Sequence, residues 1–252
     1  MNYAVVGPGR MGRAIAEIAD GRGHRCVATI GRCDSLDAAA GGGAEVAFEF
    51  TCPESAASNV AELLESGVSV VCGTTGWTPG QRVTRALSAR EVGLLVSPNF
   101  STGVQLFFRM VRAVTELLAA SGGYQPYVLE AHHRGKRDAP SGTAERIASI
   151  MLDADPRLNR RAGGEPGPLP DERTLQLASL RVGAEPGMHE VGFDGEHDRI
   201  TLRHAARGRS GFAGGAVLAA EWLQGRSGRF EIDAMLDTLM AEAGLERRGD
   251  TE

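Results

Sequence analysis

The sequence predicts an α/β parallel-sheet domain and, inserted into it, an α+β domain whose sheet is mainly antiparallel or mixed. Over the first hundred residues, short apolar runs alternate with helical patterns, which is typical of βαβ units. Beyond Asn99 the alternation stops, and a long helical pattern leads into strand-rich sequence. We therefore expect the parallel-sheet domain at residues 1–101 and 214–252, and the inserted domain at residues 102–213.

The first domain is predicted from five short apolar runs. These strands are residues 3–6, 26–30, 46–50, 68–72 and 93–97, and two helices at residues 10–20 and 53–66 lie between them. Both helices repeat apolar side chains at helical spacing and stop at a glycine. A turn with glycine, proline or threonine follows each strand. Because open parallel sheets bind ligands at the carboxyl ends of their strands, function is expected at these turns.

The inserted domain begins with a long helix at residues 104–121. Its predicted strands are residues 125–131, 175–181, 189–194 and 199–206, the last two joined as a hairpin. A helix is expected at residues 143–152, and two apolar helices at 215–223 and 232–243 close the chain. The stretch 153–171 is rich in glycine and proline, which predicts a mobile surface loop.

Composition excludes several classes of function. The chain of 252 residues has 27 Lys plus Arg against 32 Asp plus Glu, a net charge of −5, which is the wrong sign for nucleic-acid binding. No apolar stretch approaches the roughly 18 residues that span a bilayer, and no basic segment precedes the first apolar run. We therefore expect a cytoplasmic protein with no membrane or nucleic-acid partner. The four cysteines form no Cys-x-x-Cys pair and are expected to be reduced thiols.

A glycine-rich turn follows the first predicted strand and opens the first helix. It reads G-x-G-x-x-G from Gly7 through Gly9 to Gly12, with Arg10 and Met11 inside the motif. Glycines let the backbone approach a pyrophosphate, and the helix start supplies free amides to bind it. The pattern predicts a Rossmann-type dinucleotide-binding domain, whereas the alternative is merely a tight turn.

The end of the second strand bears on the choice of dinucleotide. A carboxylate there would bind the adenosine ribose of NAD, but Arg32 occupies this region and suits the 2′-phosphate of NADP. NADPH is therefore favoured over NADH. Two alternatives stay open: Arg32 is simply solvated, or nearby Asp34 takes the place of the carboxylate.

Two further loops lie at the same predicted edge of the sheet. Gly73, Thr74 and Thr75 follow the fourth strand, and the segment Pro98, Asn99 and Phe100 follows the fifth. Short polar loops at this edge can hold the nicotinamide end of a dinucleotide, although each one alone is more typical of an ordinary turn.

The densest chemistry lies in residues 130–143, between a strand and a helix of the inserted domain. Lys136 is the only lysine, since 26 of the 27 basic residues are arginine. Arginine keeps its proton at accessible pH, whereas an ammonium group can donate one. Lys136 and His132 are therefore candidate proton-transfer residues. The alternative is a solvated basic loop.

The same segment also predicts an anion site. Ser141 or Gly142 is the expected cap of the following helix, and the amides of Gly142 and Thr143, the Thr143 hydroxyl and nearby cations suit a small dicarboxylate. A metal site is not expected, because no cysteine or acidic residue stands at a ligand spacing from His132 and His133.

These motifs together resemble the 4-hydroxy-tetrahydrodipicolinate reductase (dihydrodipicolinate reductase) family over nearly the whole chain. The resemblance is carried by residues 6–12, 71–76, 98–104, 130–144, 187–191 and 212–216. It implies a nicotinamide-dependent reductase, usually a homotetramer, that reduces a cyclic dicarboxylic imine with loss of water in lysine and diaminopimelate biosynthesis. Gly31 stands where many relatives keep a glutamate before the arginine, which strengthens the expectation of NADPH.

The resemblance also implies residue roles. His132 and Lys136 would transfer protons, and His133, Gly142 and Thr143 would bind the substrate. The implied cofactor contacts are Gly7 to Gly12, Arg32, Gly73 to Thr75, and Ser97 to Phe100.

Two rival functions follow from the same motifs. One is another Rossmann oxidoreductase that acts on a different imino or keto acid. The other is a non-enzymatic NADP-binding sensor with a degenerate site, but the intact set of His132, His133, Lys136 and Thr143 argues against it.

Overall fold

The computed structural model describes residues 1–163 and 171–244 and forms two compact units. The first unit comprises Met1–Thr102 together with the chain from Arg209 onward, and the second unit is Gly103–Gly208. Among the helices of the described residues, none is both long and apolar enough to cross a membrane.

The elements are numbered in chain order. The strands are β1 (Asn2–Val6), β2 (Arg25–Ile30), β3 (Val46–Glu49), β4 (Ser69–Cys72), β5 (Gly93–Val96), β6 (Gln125–His132), β7 (Arg160–Ala162), β8 (Thr174–Arg181), β9 (Met188–Asp194), β10 (Arg199–Ala205) and β11 (Gly228–Glu231). The helices are α1 (Arg10–Gly21), α2 (Asp37–Gly41), α3 (Pro53–Glu65), α4 (Gln81–Ala89), α5 (Thr102–Ser121), α6 (Gly142–Ala154), α7 (Ser210–Leu223) and α8 (Ile232–Glu242).

A six-stranded parallel sheet forms the first unit, in the order β11, β5, β4, β3, β1, β2. From β1 the chain adds β2 on one side and then returns to add β3 on the other. The connections that follow β1 and β3 therefore leave the sheet on opposite faces, and a crevice opens between them at the carboxyl edge. Open parallel sheets bind ligands at such a point.

Both faces of this sheet are covered by helices. Tyr3 and Val5 of β1 pack into a core with α1, α7 and α8, whereas Ala4 and Val6 pack into a second core with α3 and α4. A strand buried on both faces needs apolar residues at successive positions, and β1 supplies them. The predicted Rossmann-type parallel sheet is confirmed.

The second unit contains a five-stranded mixed sheet in the order β10, β9, β6, β8, β7. The pairs β10 with β9 and β9 with β6 are antiparallel, whereas β8 runs parallel to β6 and β7 runs parallel to β8. The parallel half exists because α6 follows β6, and a helical crossover returns the chain so that the next strand can run in the same direction.

Helices α5 and α6 pack on this sheet. Phe107 and Val111 of α5 join Ile147 and Met151 of α6 in one core with the strands. Each pair is four residues apart and therefore lies on one helix face. The predicted α+β character of this part of the chain is confirmed.

Four elements have no counterpart in the sequence prediction: α2, α4, β7 and β11. The helix α2 has five residues and β7 has three exposed residues, so neither carries a readable periodicity. β11 lies at the edge of its sheet and is only partly buried. Within the predicted loop 153–171, the start belongs to α6 and residues 160–162 form β7, while residues 164–170 lie outside the described residues.

Candidate active site

The three glycines of the first turn have different surroundings. A Cβ atom on Gly7, where φ is +92°, would overlap the carbonyl group of Phe50, and one on Gly12 would overlap the carbonyl oxygen of Gly7. Within the part of the chain that the structure describes, a Cβ on Gly9 would meet nothing within 4 Å. Two glycines therefore permit close packing, while Gly9 leaves the start of α1 open, with no side chain of the described residues capping its amides. These features fit a pyrophosphate, which needs backbone approach and free amides.

A cavity of about 690 Å³ lies at the crevice between the carboxyl ends of β1, β2 and β3. Gly7 and Gly9 line one part of it, Arg32 and Asp34 another, and Thr51 a third. Of the predicted cofactor residues, this cavity brings together Gly7, Gly9 and Arg32. Arg10 is exposed at the first position of α1, and Met11 packs against the core beneath it.

The turn after β2 places charges of both signs on the cavity. Arg32 is exposed there, and Asp34 accepts a hydrogen bond from the Gly31 amide at 2.7 Å. One carboxylate oxygen of Asp34 therefore already holds the turn closed. A phosphate would be attracted to the Arg32 guanidinium, whereas a ribose hydroxyl would need the remaining acceptor capacity of Asp34.

The loops after β3, β4 and β5 meet around Phe50 and Thr51. A Cβ on Gly73 would overlap the Phe50 ring, the Thr51 amide donates to the Thr74 hydroxyl at 2.8 Å, and the Phe100 ring lies 5.9 Å from that of Phe50. Phe50 and Thr51 were absent from the predicted site. Their position in the sequence could have identified them, because they directly follow β3 as Gly7 follows β1. Ligands of open parallel sheets bind at such strand ends.

The other predicted residues of these loops shape the backbone or face solvent. The Ser97 hydroxyl donates to the Asn99 carbonyl at 2.9 Å. Thr75 and Pro98 are exposed. None of the predicted residues after β4 and β5 lines the 690 Å³ cavity.

A fully buried carboxylate lies beneath this junction. Glu49, the last residue of β3, accepts hydrogen bonds from the Thr51 hydroxyl, from Asn59 at 3.2 Å and from the Cys72 thiol at 3.2 Å. Burial, and then the charge of Glu49, raise the pKa of the Cys72 thiol, which stays protonated and donates. Since Thr51 and Asn59 also line the cavity, Glu49 supports its wall from below.

In the second unit, β6 carries Glu130 and His132 on one face, two residues apart. Glu130 Oε2 is hydrogen-bonded to His132 Nδ1, and Glu130 Oε1 accepts from Arg181 at 2.8 Å and from the Ser141 amide at 3.2 Å. Burial acts to raise the pKa of Glu130, but the Arg181 hydrogen bond and the neighbouring charges outweigh it and hold the pKa below its ordinary value. Glu130 is therefore a carboxylate.

The environment of His132 acts on its charge in both directions. Burial lowers its pKa and the Glu130 carboxylate opposes this, while the charges of Lys136 and Arg181 add to the lowering, so that the pKa lies below its ordinary value. His132 is 8% exposed. In its doubly protonated form, this ring therefore releases a proton readily, and it lies at the surface of a buried cluster.

His189 of β9 completes this cluster. Its ring stands edge-on to that of His132 at 5.2 Å, and its Nε2 shares a hydrogen bond with the Ser141 hydroxyl at 3.1 Å. Burial, reinforced by His132, lowers the pKa of His189 to about 4, so this ring is neutral near neutral pH. The Ser141 hydroxyl also accepts from the Ala144 amide, which makes Ser141, and not the alternative Gly142, the cap of α6.

The remaining predicted residues of this segment lie in the loop before α6 and in its first turn. Lys136 donates to both carboxylate oxygens of Asp138, at 2.8 and 2.9 Å, and this bond lowers the pKa of that carboxyl. His133 and Gly142 are exposed and Thr143 is half-buried. The loop thus combines an ammonium group, accessible ring nitrogens and the start of a helix, which together suit an anionic ligand that accepts a proton.

The cluster also bears on the prediction that no metal binds. Glu130, His132 and His189 place their possible ligand atoms within 4.8 Å of one another. The folded chain thus brings a carboxylate next to two histidines, which the sequence spacing did not predict. Both oxygens of Glu130 are already hydrogen-bonded, one of them to the Arg181 cation. The absence of a metal stays a prediction.

Sequence reasoning missed the roles of Glu130, Arg181 and His189. The signal for Glu130 was its position two residues before His132, which places both side chains on one face of a strand. Arg181 and His189 come from other strands, and pairing of β8 and β9 with β6 brings them to the cluster. Their proximity depends on strand register, which no local pattern shows.

Known proteins share both units of this chain. The family model "Dihydrodipicolinate reductase, N-terminus" matches residues 1–100, and "Dihydrodipicolinate reductase, C-terminus" matches residues 103–236. A 4-hydroxy-tetrahydrodipicolinate reductase of Christiangramia forsetii is 32% identical over 95% of this chain and 99% of its own length. One of Chromobacterium violaceum is 35% identical over 93% of this chain and 98% of its own length.

A solved structure shares the fold. The dipicolinate-bound dihydrodipicolinate reductase of Paenisporosarcina sp. TG-14 has a TM-score of 0.75 at 20% identity and covers 92% of this chain and 97% of its own. Matches to both family models and to relatives over nearly their full length leave one conclusion. The chain belongs to the dihydrodipicolinate reductase family.

Proposed function

We propose that this protein catalyses the NAD(P)H-dependent reduction of 4-hydroxy-tetrahydrodipicolinate to tetrahydrodipicolinate, with loss of water, in lysine and diaminopimelate biosynthesis. The observation that carries the proposal is the cluster at the end of β6, where His132, Lys136 and the start of α6 occur in a chain that also has the glycine turn. The family models cover both parts.

The two parts of the chain take different tasks in this proposal. Residues 1–101 and 214–252 bind the dinucleotide, and residues 102–213 bind the substrate and form the oligomer. The division into compact units at Thr102 and Arg209 supports such a partition. A homotetramer is the expected state, as the resemblance implies, and the cytoplasm is the expected compartment.

The substrate is a small cyclic dicarboxylate. We assign its carboxylates to the Ser141 to Thr143 segment at the start of α6, where backbone amides and the helix dipole favour an anion. His133 and Lys136, on the loop before that helix, add hydrogen-bond donors and positive charge. Holding both carboxylates fixes the ring for reaction.

Proton transfer is the chemical task of this part of the chain. A bound reduced nicotinamide supplies the hydride. Nε2 is the atom of His132 that gains and releases a proton, because Nδ1 is engaged by Glu130, and Lys136 holds protons at Nζ. A positioned acid quenches the electron density that builds beside a reduced carbon, and such acids contribute roughly 10²- to 10⁴-fold to rate.

NADPH is the favoured cofactor within the broader nicotinamide requirement. Arg32 on the cavity wall supports this preference, since a guanidinium matches the 2′-phosphate. One carboxylate oxygen of Asp34 already accepts a hydrogen bond from the Gly31 amide. Cofactor contacts are further assigned to the glycine turn and to the loops after β4 and β5.

The test uses the purified full-length protein and follows the absorbance of the reduced cofactor. Oxidation of NADPH with 4-hydroxy-tetrahydrodipicolinate, and little oxidation with simple imino or keto acids, is the expected result. Faster turnover of another imino or keto acid would favour the rival oxidoreductase. Binding of NADPH without turnover of any of these compounds would favour the sensor. Repeating the assay with NADH measures the cofactor preference.

A further inference from the structure

We infer that Glu130 is the positioning residue of the second unit: one carboxylate orients the proton-donating ring of His132 and fixes the start of the anion-binding helix. The inference rests on the proposed function, which supplies the proton transfer and the dicarboxylate. It concerns a side chain that lies within the core and needs no contact with substrate, since Glu130 is 0% exposed.

The first contact sets the orientation of His132. Glu130 Oε2 is hydrogen-bonded to Nδ1, and a carboxylate can only accept, so Nδ1 carries a hydrogen. The opposite ring atom, Nε2, is then the one that exchanges a proton with a ligand. Gly187 leaves room beside this atom, because a Cβ there would lie 3.0 Å from Nε2.

The second contact ties the same carboxylate to α6. Glu130 Oε1 accepts from the Ser141 amide at 3.2 Å, and the Ser141 hydroxyl caps the helix through the Ala144 amide at 3.2 Å. The position of the helix start is therefore coupled to the position of the His132 ring. A small shift of Glu130 would displace the His132 ring and the start of α6 relative to a bound ligand, and reacting groups tolerate little misplacement.

The third contact links Glu130 to the loop that carries Lys136 and Asp138, and it keeps Glu130 charged. Arg181 donates through Nη2 both to Glu130 Oε1 at 2.8 Å and to the Asp138 carbonyl at 2.5 Å. Asp138 in turn holds the Lys136 ammonium. Glu130 thus lies at the centre of a set of bonds that reaches all three parts of the proposed substrate site.

A buried carboxylate paired with arginine can also be merely structural, and the chain offers a matched example. Asp155 follows α6 at its other end, is 1% exposed, and accepts from the Arg157 guanidinium at 2.7 and 2.9 Å. It has the burial and the cation of Glu130 but no histidine partner among its hydrogen bonds in the described chain. Asp155→Asn is therefore the control for loss of a buried ion pair.

Glu130→Gln is the main variant, because glutamine keeps the size and can still accept from Ser141. Its amide group would donate to Nδ1, which forces His132 into the tautomer with hydrogen on Nε2 and disfavours the doubly protonated ring. The groups that face the ring are then Arg181 of β8, Lys136 of the loop and His189 of β9, and none of them replaces the lost negative charge. The pKa of His132 should fall.

The expected result for Glu130→Gln is a fall in kcat on the order of 10²-fold, with the KM for NADPH unchanged. The limb of the kcat profile that requires protonated His132 should move to lower pH, because its acid loses the proton more easily. Glu130→Asp keeps the charge and should leave that limb in place, while its shorter reach still lowers kcat. Asp155→Asn should reduce thermal stability and leave both kcat and the limb unchanged.

Imidazole nitrogen chemical shifts of the wild-type protein provide a readout that needs no substrate and no folded Glu130 variant. The His132 resonances are identified from their loss in His132→Ala. Neutral His132 protonated at Nδ1 is expected, and protonation at Nε2 would overturn the inference. A folded Glu130→Gln protein with the kcat and pH limb of the wild type would overturn it as well. If the wild type fails to turn over 4-hydroxy-tetrahydrodipicolinate while Nδ1 is protonated, the proposed function fails and the orientation of His132 stands.

Discussion

Each unit contains a fully buried glutamate close to the carboxyl end of a central strand, but the two glutamates have different partners. Glu49 of β3 and Glu130 of β6 are both 0% exposed. Glu130 is bonded to the guanidinium of Arg181 and the imidazole of His132. Glu49 instead accepts from a hydroxyl, an amide and a thiol.

The partners, more than the burial, indicate what each carboxylate does. An anion beside an imidazole changes which proton the ring carries and how firmly, so it acts on chemistry. A buried carboxyl group that accepts from a hydroxyl, an amide and a thiol fixes the positions of those groups, and around Glu49 two of them line the cavity. The buried glutamate of the first unit thus supports a binding surface, whereas that of the second unit controls the protonation of His132.

The largest effect is expected in the second unit, at the proton donors. His132→Ala and Lys136→Arg should each slow turnover by about 10²-fold or more, because a positioned acid is lost in one case and cannot release its proton in the other. Affinity for the dinucleotide should hardly change. Steady-state kinetics and NADPH titration by fluorescence measure the two quantities.

Arg82→Lys is a suitable control for these variants, since Arg82 forms an exposed ion pair with Glu65 in the first unit. It should leave both kcat and affinity at wild-type values. If His132→Ala or Lys136→Arg retains wild-type turnover, the role assigned to that residue is lost.

In the first unit, the next largest effect is expected at Arg32. Arg32→Ala should weaken NADPH binding by about 10- to 100-fold, since a hydrogen bond to a charged group contributes about 1.5–3 kcal/mol. NADH binding should change little. Titration of both dinucleotides checks this, and equal weakening of the two would show that Arg32 does not read the 2′-phosphate. Asp34→Asn tests the alternative, because it should weaken NADH if Asp34 binds the ribose.

The two units were not equally predictable from sequence. In the first, burial on both faces gives the inner strands β1, β3, β4 and β5 apolar runs, and the glycine turn follows from the steric need for glycine at Gly7 and Gly12. Local sequence patterns therefore predict most of the secondary structure of this unit. The junction at Phe50 and Thr51 escaped prediction because neither residue type is distinctive outside its place in the sheet.

In the second unit, local sequence identified the chemical groups but not their arrangement. His132, Lys136 and Ser141 stand within ten residues, and their types alone suggested proton transfer and a helix cap. Arg181 and His189 reach the cluster only through the pairing of three strands. Register sets such contacts, and a shift of one residue would turn these side chains to the opposite face.

A smaller effect should distinguish the units by pH. The folded pKa of His189 is about 4, against an ordinary value of 6.5, so between these values the unfolded chain binds more protons than the folded one. Its contribution to stability is present above the ordinary pKa and is lost as the pH falls toward 4. The free energy of unfolding should drop by about 2 kcal/mol from about pH 7 to about pH 5.

Urea unfolding at several pH values measures this dependence. His189→Asn keeps a donor for Ser141 but has no titrating ring, and its unfolding free energy should depend less on pH over the same range. A variant with the full wild-type dependence would assign the effect to other groups. Unfolding can be monitored separately by the fluorescence of Trp77, which lies in the first unit, and by spectroscopic signals of the second unit. Comparison of the two would show which unit the pH-dependent loss of stability belongs to.

The smallest effect is expected at the buried carboxylate of the first unit. Glu49→Gln replaces one acceptor oxygen by an amide that donates, and this amide faces groups that also donate. Loss of one such hydrogen bond costs about 1 kcal/mol, measured as a fall in the free energy of unfolding, and displacement of Thr51 should raise the KM for the dinucleotide. In Glu49→Gln with Asn59→Asp, the donor and the acceptor are exchanged between partners 3.2 Å apart. The double variant should therefore recover part of both losses while kcat stays unchanged, whereas a drop in kcat comparable with that of Glu130→Gln would mean that the two carboxylates do not differ in role.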